Sequence, residues 1–221
     1  MTTVPVFPLN TVLFPGVSAP LHVFEERYRR LVSDLLEIPD PGSRVFGVVA
    51  IREGYEVGDH GVQSIHRIGT LVQLGSVEPY DDGRFDIEVT GRQRLRVVEL
   101  DTSGAYLRAG VELPGDADEP DAREEATRAL AVFHAYRSLL SEMRGGPVLT
   151  GQLPTDPAYL SYALSATCLL TLRERQALLE ADSVRERLIM LRHGLTEEMR
   201  AMQALPSLPA TEVARTRWSP N

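Results

Sequence analysis

The 221-residue sequence contains no lysine, and all 23 of its basic residues are arginine. An amine side chain is needed for the Walker A contact to nucleotide phosphates, for a Schiff base and for a serine–lysine dyad, so these residues support none of the three. The sequence also has only one cysteine, Cys168, which excludes an intrachain disulfide and a cysteine-based metal site. Cys168 falls in the apolar stretch YALSATCLL, where we expect a small buried side chain.

Long apolar runs and an excess of positive charge are missing too. Prolines at 5, 8 and 15 interrupt the first segment before a signal-peptide core or a membrane span could form. The formal net charge of −8 and the pI near 5.2 oppose attraction to phosphate backbones and anionic membranes. We therefore expect a cytoplasmic protein, and we expect neither a membrane nor nucleic acid to be its partner.

Motifs for catalysis and for cofactor or metal binding are also absent. The segment Gly16–Pro20, GVSAP, lacks the second glycine of a nucleophile elbow, and no Gly-x-Gly-x-x-Gly opens a helix. His60 and His66, with Asp59, lie close in sequence, but their spacing matches no common zinc site. The sequence therefore predicts a non-enzymatic chain with no catalytic, cofactor-binding or metal-binding residues.

The first 40 residues predict a strand, a turn-rich stretch from 8 to 20, and one amphipathic helix. The apolar stripe of that helix consists of Phe24, Tyr28, Leu31, Val32, Leu35 and Leu36. Glu25 with Arg29, and Glu26 with Arg30, are spaced for favourable i,i+4 pairs on the opposite side.

Residues 45 to 113 change to a period-two pattern that is typical of strands. The strand segments are VFGVVAI, IGTLVQLGSVE, RFDIEVT, RLRVVEL and AYLRAGVEL. Several short, mostly antiparallel strands with one early helix favour a small, partly closed barrel.

The remainder of the chain, after the acidic linker at 114–121, predicts only helices. One helix is expected over 121–143. Others are expected to begin at the Asp156-Pro157 cap and at the Thr171–Glu174 and Ser183–Glu186 capping boxes. We thus predict an α+β chain with a β-barrel part at 1–116, a bundle of about four helices at 117–205 and a tail at 206–221. Trp218 in that tail could anchor it to the body or to a partner, but a lone aromatic in a tail is more often incidental.

Three stretches together resemble the LON substrate-binding domain, the amino-terminal module of Lon-type ATP-dependent proteases, which also occurs as a stand-alone protein. They are VPVFPLNTVLFPGVSAPLHVFEERYRRLV, then HRIGTLVQL with VTGRQRLRV, and finally RQALLEADSVRERLIMLRHGL. The matching positions in the first are Pro5, Phe7, Pro8, Leu9, Phe14, Pro15, Gly16, Pro20, Leu21, Phe24, Glu25, Arg27, Tyr28 and Arg29. The resemblance covers residues 4 to about 204.

The resemblance implies a PUA-like pseudo-barrel followed by a helical bundle, in agreement with the order of the predicted elements. It implies binding to unfolded or extended polypeptide segments, or to a partner protein, as a substrate-recognition or adaptor factor for separate proteolytic machinery. The ATPase and peptidase modules of a complete Lon protease have no counterpart here. The motif residues are expected to be architectural: Phe14, Phe24 and Tyr28 in the core, Gly16 in a turn, and Arg27 paired with a carboxylate or carbonyl.

An RNA-binding PUA-like module is the alternative function, because Arg92, Arg94 and Arg96 occupy alternate positions of a predicted strand. A hairpin turning at about Arg92 would place Thr90 opposite Arg94 and Glu88 opposite Arg96, and would neutralise the stripe. We expect that ion-paired face, since no aromatic residues interleave with the arginines. A hydrolase with an unfamiliar site is a third hypothesis that no motif supports.

Overall fold

The computed structural model describes residues 2–52, 65–115 and 121–204. The chain divides into two compact units, residues 1–115 and 116–221, and each is described by itself. Asp59, His60 and the tail at 206–221 with Trp218 lie outside the described residues. Within the described ranges, no helix has both the length and the apolar character that crossing a membrane requires.

The first unit contains six strands, one α-helix and a short 3-10 turn. In chain order these are β1 (Thr2–Leu9), β2 (Ser18–Val23), α1 (Glu26–Leu36), the turn Pro41–Ser43, β3 (Val45–Ile51), β4 (Ile65–Pro79), β5 (Phe85–Asp101) and β6 (Arg108–Glu112). The strand order is β2-β5-β4-β3-β1-β6, with a further pairing of β5 to β6. The pairings of β1, β3, β4, β5 and β6 therefore connect in a ring, an arrangement compatible with the expected partly closed barrel.

The sheet is packed on both faces around β3, because the strands there alternate between two apolar clusters. Val49 and Leu71 face a cluster that includes Leu95, while their neighbours Val48 and Val72 belong to a second cluster, which α1 covers. The near-continuous apolar run of β3 follows from this double burial.

Helix α1 confirms most of the predicted stripe but not its ends. The buried members are Tyr28, Leu31, Val32 and Leu35. Leu36 is exposed, and Phe24 is 62% exposed, so its predicted place in the core is wrong. The helix begins at Glu26, with Glu25 as its N-cap, so Phe24 precedes the cap and the fourth helical position is Arg29. Without an apolar residue there, no hydrophobic staple forms to bury Phe24.

The other motif residues confirm their predicted roles. Phe14 and Tyr28 are buried, and Gly16 has a φ of 75°, in the left-handed region that favours glycine. Arg27 donates to Glu25 Oε2 from Nη2, 2.8 Å away. The charge pairs of the helix differ from the predicted i,i+4 pairs, since Arg30 pairs with Asp34 at 2.8 Å.

Strand β5 is one continuous element of 17 residues, so the predicted hairpin at Arg92 is wrong. Arg92 lies instead at a β-bulge, where the β4–β5 register shifts between Leu71 and Val72. The bulge lets a long strand bend without reversing direction. Thr90 is paired with Gln73 of β4, and Arg96 is opposite Glu112 of β6.

The second unit consists of helices α2 (Ala122–Arg144), α3 (Pro157–Thr167), α4 (Leu172–Glu180) and α5 (Val184–Ala204). Asp156 caps α3 by accepting from the N–H groups of Ala158 and Tyr159, as predicted. Thr171 and Glu174 form the predicted capping box. Cys168 is buried, as expected, and burial raises the pKa of its thiol to about 12.

Two ionisable side chains lie inside this helical unit. Arg187 is fully buried and donates from Nε to the Leu178 carbonyl at 2.9 Å and from Nη1 to Ser161 Oγ at 3.0 Å. Glu125 is 3% exposed, accepts from Arg192 Nε at 2.7 Å and is also paired with Arg128. Arg187 thus joins α5 to α4 and to α3, and Glu125 joins α2 to α5.

Candidate functional site

The predicted arginine stripe does not form a continuous basic surface. Arg94 is only 7% exposed, while Arg92 and Arg96 remain on the surface. Arg96 has Glu112 as its cross-strand partner, and cross-strand partners share a face. Arg96 therefore lies beside a carboxylate of β6 rather than beside the Glu88 that the predicted hairpin would supply.

An exposed aromatic patch lies instead at the end of β2, and we define it as His22, Phe24 and Tyr80. The rings of His22 and Phe24 are stacked, with centroids 6.1 Å apart, and the Tyr80 ring meets His22 edge-on at 5.9 Å. Phe24 and Tyr80 are both exposed, Tyr80 by 43%. Large rings held at a surface are the side chains that most often dominate binding between polypeptides.

The register of three strands places the patch on the outer face of the sheet. His22 of β2 is opposite Asp86 of β5, and Asp86 is opposite Glu78 of β4. Their sequence neighbours Leu21 and Ile87 point to the opposite face and pack in the α1-covered cluster. Period-two alternation thus directs apolar side chains inward and the patch outward.

Asp86 fixes the orientation of two members of the patch. Its Oδ1 lies 2.6 Å from His22 Nδ1, and its Oδ2 accepts a 2.5 Å hydrogen bond from the Tyr80 hydroxyl. The bonds from Tyr80 and His22 stabilise the carboxylate and lower the pKa of Asp86. The same bond to Asp86 raises the pKa of Tyr80, because the neutral phenol is the donor. The two rings are therefore held in place before any ligand arrives.

The turn between β4 and β5 holds Tyr80 through a backbone hydrogen bond and a contact with its ring. Tyr80 and Arg84 are joined by a backbone hydrogen bond of 2.9 Å, and Gly83 has a φ of 80°, which a three-residue hairpin loop requires. Arg84 donates from Nε to Asp82 at 2.7 Å, and its guanidinium carbon lies 5.4 Å from the centroid of the Tyr80 ring. Arg29 of α1 donates to the Asp82 carbonyl at 3.0 Å and ties the turn to the helix.

Carboxylates surround the patch on the same face. Glu88 is opposite Pro20, and Glu78 is in the row of Asp86 and His22. Both glutamates are exposed, and within the described ranges neither contacts an arginine. The outer face therefore carries uncompensated negative charge beside its aromatic rings.

Strand β2 forms one edge of this face, since its only strand partner among the described elements is β5. The β2–β5 pairing continues through Pro20, which has no N–H to donate. A sheet accommodates proline where its missing donor faces the open edge. The edge therefore lacks a donor at its centre, which disfavours a continuous added strand and leaves recognition mainly to side chains.

A cleft of about 1200 Å³ lies beside the patch, between α1, the β4–β5 turn and residues 104–108. Its charged side chains largely bind one another: Arg27 binds Glu25, and Asp34 binds Arg30 and accepts from Tyr106 at 3.0 Å. The cleft is thus a polar surface whose charged side chains are largely paired with one another.

The described residues offer no group of three or more His, Cys, Asp or Glu side chains that could hold a metal ion. The Asp86–His22 pair resembles the orienting half of a catalytic triad, but the hydroxyl bonded to Asp86 belongs to Tyr80 and lies on the same carboxylate. The arrangement can offer ring faces and carboxylates to a ligand, which is the chemistry of binding.

Sequence reasoning missed all three members of the patch as surface residues. Phe24 was assigned to the core, and His22 and Tyr80 received no role. One signal was available for Phe24, because the sequence has arginine at the fourth helical position and so lacks a staple partner. The Tyr80–Asp86–His22 contacts depend on the strand register, which local patterns do not fix.

Comparison with known proteins gives one consistent likeness. A family model described as the ATP-dependent protease La (LON) substrate-binding domain matches residues 3–197. Curated relatives include a Lon protease of Dictyoglomus thermophilum, 28% identical over 90% of this chain and 25% of the relative. Another is Lon protease 2 of Myxococcus xanthus, 27% identical over 83% of this chain and 22% of the relative. The chain thus spans about a quarter of their length.

Solved structures give the same likeness in three dimensions. A Lon N-terminal domain protein from Xanthomonas campestris superposes with a TM-score of 0.61 at 24% identity, over 86% of this chain and 97% of that one. The N-terminal domain of a Mycobacterium avium complex Lon protease gives 0.62 at 20% identity, over 88% and 98%. At these identities the likeness establishes the fold, and it confirms the α+β architecture expected from the sequence.

Proposed function

The chain belongs to the family of ATP-dependent protease La (LON) substrate-binding domains, and from that premise we propose that it binds extended or unfolded polypeptide segments at the aromatic patch. The observation that carries the proposal is the 62% exposure of Phe24 beside a His22 ring held by Asp86. An exposed phenylalanine next to rigid rings gains apolar burial from a ligand at little entropic cost.

The proposed role is recognition without chemistry, in the cytoplasm, as an adaptor or substrate-recognition factor for separate proteolytic machinery. The matched family model is a substrate-binding one, and a sequence without lysine offers no amine for catalysis. The polypeptide supplies the partner, and this role requires no cofactor.

RNA binding receives less support than it did from the sequence. The arginines that could have bound phosphates are divided between a buried Arg94 and an Arg96 opposite Glu112. The exposed rings have Glu78 and Glu88 around them, and these would repel a phosphate backbone.

Replacement of Phe24 by alanine tests the proposal directly. We expect Phe24→Ala to weaken binding of fluorescently labelled unfolded casein about tenfold in an anisotropy titration, because a central aromatic contact is lost. For a peptide without charged residues, affinity should change little between low and moderate salt, because apolar burial dominates. A gel of the same samples should show the casein intact.

The matched control is Tyr159→Ala, which removes an exposed ring of similar size from α3 in the other unit. Circular dichroism should show both variants folded, since neither ring is buried. Equal casein affinity for Phe24→Ala and the wild type would refute the proposed surface. Steeply salt-dependent binding of single-stranded RNA that Arg92→Ala and Arg96→Ala abolish would favour the RNA alternative.

A further inference from the structure

The outer face that bears the aromatic patch has a strongly one-sided charge. Residues 76–90, which form the β4–β5 hairpin, contain five carboxylates and a single arginine, Arg84, while β2 contains no formally charged residue. This short segment therefore holds half of the formal net charge of −8. A binding surface with this charge discriminates among polypeptides that carry the same apolar residues.

The positions of these carboxylates differ in what they can offer a ligand. Asp86 is already bonded to His22 and Tyr80, and Asp82 is bonded to Arg84. Asp81, Glu78 and Glu88 have no arginine contact among the described residues, and of these three the two glutamates lie on the strands that carry the patch. They flank Asp86 on the same face, so a segment lying across the patch passes within reach of both.

The surface already binds one guanidinium in the way a ligand's cation would be bound. Arg84 places its guanidinium 5.4 Å from the centroid of the Tyr80 ring while it donates to the Asp82 carboxylate at 2.7 Å. One aromatic face and one carboxylate thus share a single cation. Phe24 and the neighbouring glutamates also combine an exposed aromatic ring with carboxylates, but no arginine is bound between them.

We propose that this surface selects extended polypeptide segments that carry lysine or arginine next to an apolar residue. The apolar residue packs on Phe24 and Tyr80, and the cation lies between a ring face and Glu78 or Glu88. Acidic segments and nucleic acids are rejected by the same carboxylates. The inference rests on the proposed function, because it assigns a ligand class to the same surface.

Three labelled peptides of equal length and equal aromatic content test the selection with the full chain. They differ only in that one carries arginines where the second carries glutamines and the third glutamates. In anisotropy titrations at about 50 mM salt we expect the arginine peptide to bind about tenfold more tightly than the glutamine peptide, and the glutamate peptide most weakly. The preference should fall to about twofold at about 300 mM salt, since the charges are exposed and screened.

The double variant Glu78→Gln/Glu88→Gln should reduce the arginine preference to about twofold at low salt while the glutamine peptide binds as before. Its control is Glu142→Gln/Glu197→Gln, which removes two exposed glutamates from α2 and α5 and should leave the preference intact. Equal binding of all three peptides, or a preference that survives the Glu78/Glu88 variant, would overturn the selection but not the proposed function. Failure of every peptide and of casein to bind would overturn both.

Discussion

The two units of the chain use ionisable side chains in opposite ways. In the helical unit Arg187 and Glu125 lie inside, where they join helices through hydrogen bonds. In the first unit, residues 1–115, which we call the barrel unit, Asp86 and its hydrogen bonds to Tyr80 and His22 form a network at the surface. This network holds both rings in the patch. A buried network is expensive to break because its partners are left unsatisfied, whereas a surface network can be changed at small cost. The first therefore serves the fold and the second is available for recognition.

The largest effect that separates the two units is expected at Arg187. Replacement by alanine leaves the Leu178 carbonyl and Ser161 without their partner and creates a cavity beside Tyr162, whose ring centroid is 4.1 Å from the guanidinium. Leu178 lies in the last turn of α4, where carbonyls lack helical partners, so the lost contact also uncaps that helix. We expect Arg187→Ala to lower the free energy of unfolding of this unit by about 3–5 kcal/mol, through the lost hydrogen bonds and the cavity.

Urea denaturation followed by far-ultraviolet circular dichroism measures this change, because the helical unit dominates that signal. Arg200→Ala, an exposed substitution on the same helix α5, is the control and should shift the free energy by less than about 0.5 kcal/mol. Arg84→Ala in the barrel unit should be as mild as the control. If Arg187→Ala and Arg84→Ala cost the same, the contrast between the units would be wrong.

Sequence patterns predict the helices on which these contacts depend, but they do not predict the contacts themselves. The helix α3 with its Asp156 cap and the helix α4 with its capping box follow from local residue order, and the structure confirms them. An arginine in a helix is usually exposed, so the sequence gives no sign that Arg187 is buried. Its contact with Ser161, 26 residues earlier, forms only when the chain folds. Long-range partners of this kind have no local signal.

The barrel unit shows the same division between local and non-local information. Alternation identifies the strand segments of β5, yet it predicts a hairpin at about Arg92, where the structure has a bulge in one long strand. A Cβ on Gly91 would lie 2.2 Å from the Phe14 carbonyl oxygen, so this glycine permits a close backbone approach rather than a reversal. Phe24 was misplaced for a related reason, because apolar period alone does not say where a helix begins.

A smaller effect is expected at Glu125, and it depends on pH. Burial disfavours the charged form of this carboxyl, but hydrogen bonds from Arg192 and Arg128 prevail and lower its pKa below the ordinary 4.5. A group whose pKa is lower in the folded state contributes stability above its unfolded pKa, and this is lost as the pH falls through the folded value. We therefore expect the helical unit to lose stability below about pH 4.5.

Urea midpoints measured from neutral to acid pH report this loss. At neutral pH, Glu125→Gln should lower the urea midpoint, which corresponds to a loss of about 1–3 kcal/mol in the free energy of unfolding. The midpoint of this variant should also depend less on acid pH. Glu142→Gln, an exposed substitution on the same helix, is the control and should leave both unchanged. An acid dependence in Glu125→Gln as steep as in the wild type would assign the titration to other carboxyls.

The smallest effect is expected at Tyr80, where the surface network of the barrel unit can be followed without a change in the fold. The hydrogen bond to Asp86, aided by the charge of that carboxylate, raises the pKa of Tyr80 above the ordinary 10.0. A raised pKa means that the bond is present below the unfolded pKa and is lost as the pH rises through the folded one. Tyrosinate absorbance, taken as the difference between the wild type and Tyr80→Phe, isolates this titration. Asp86→Asn should move it to lower pH, whereas Glu88→Gln, two residues along β5, should not. A titration that Asp86→Asn leaves in place would show that Asp86 does not hold the Tyr80 ring, and the contrast between an interior and a surface network would then rest on the helical unit alone.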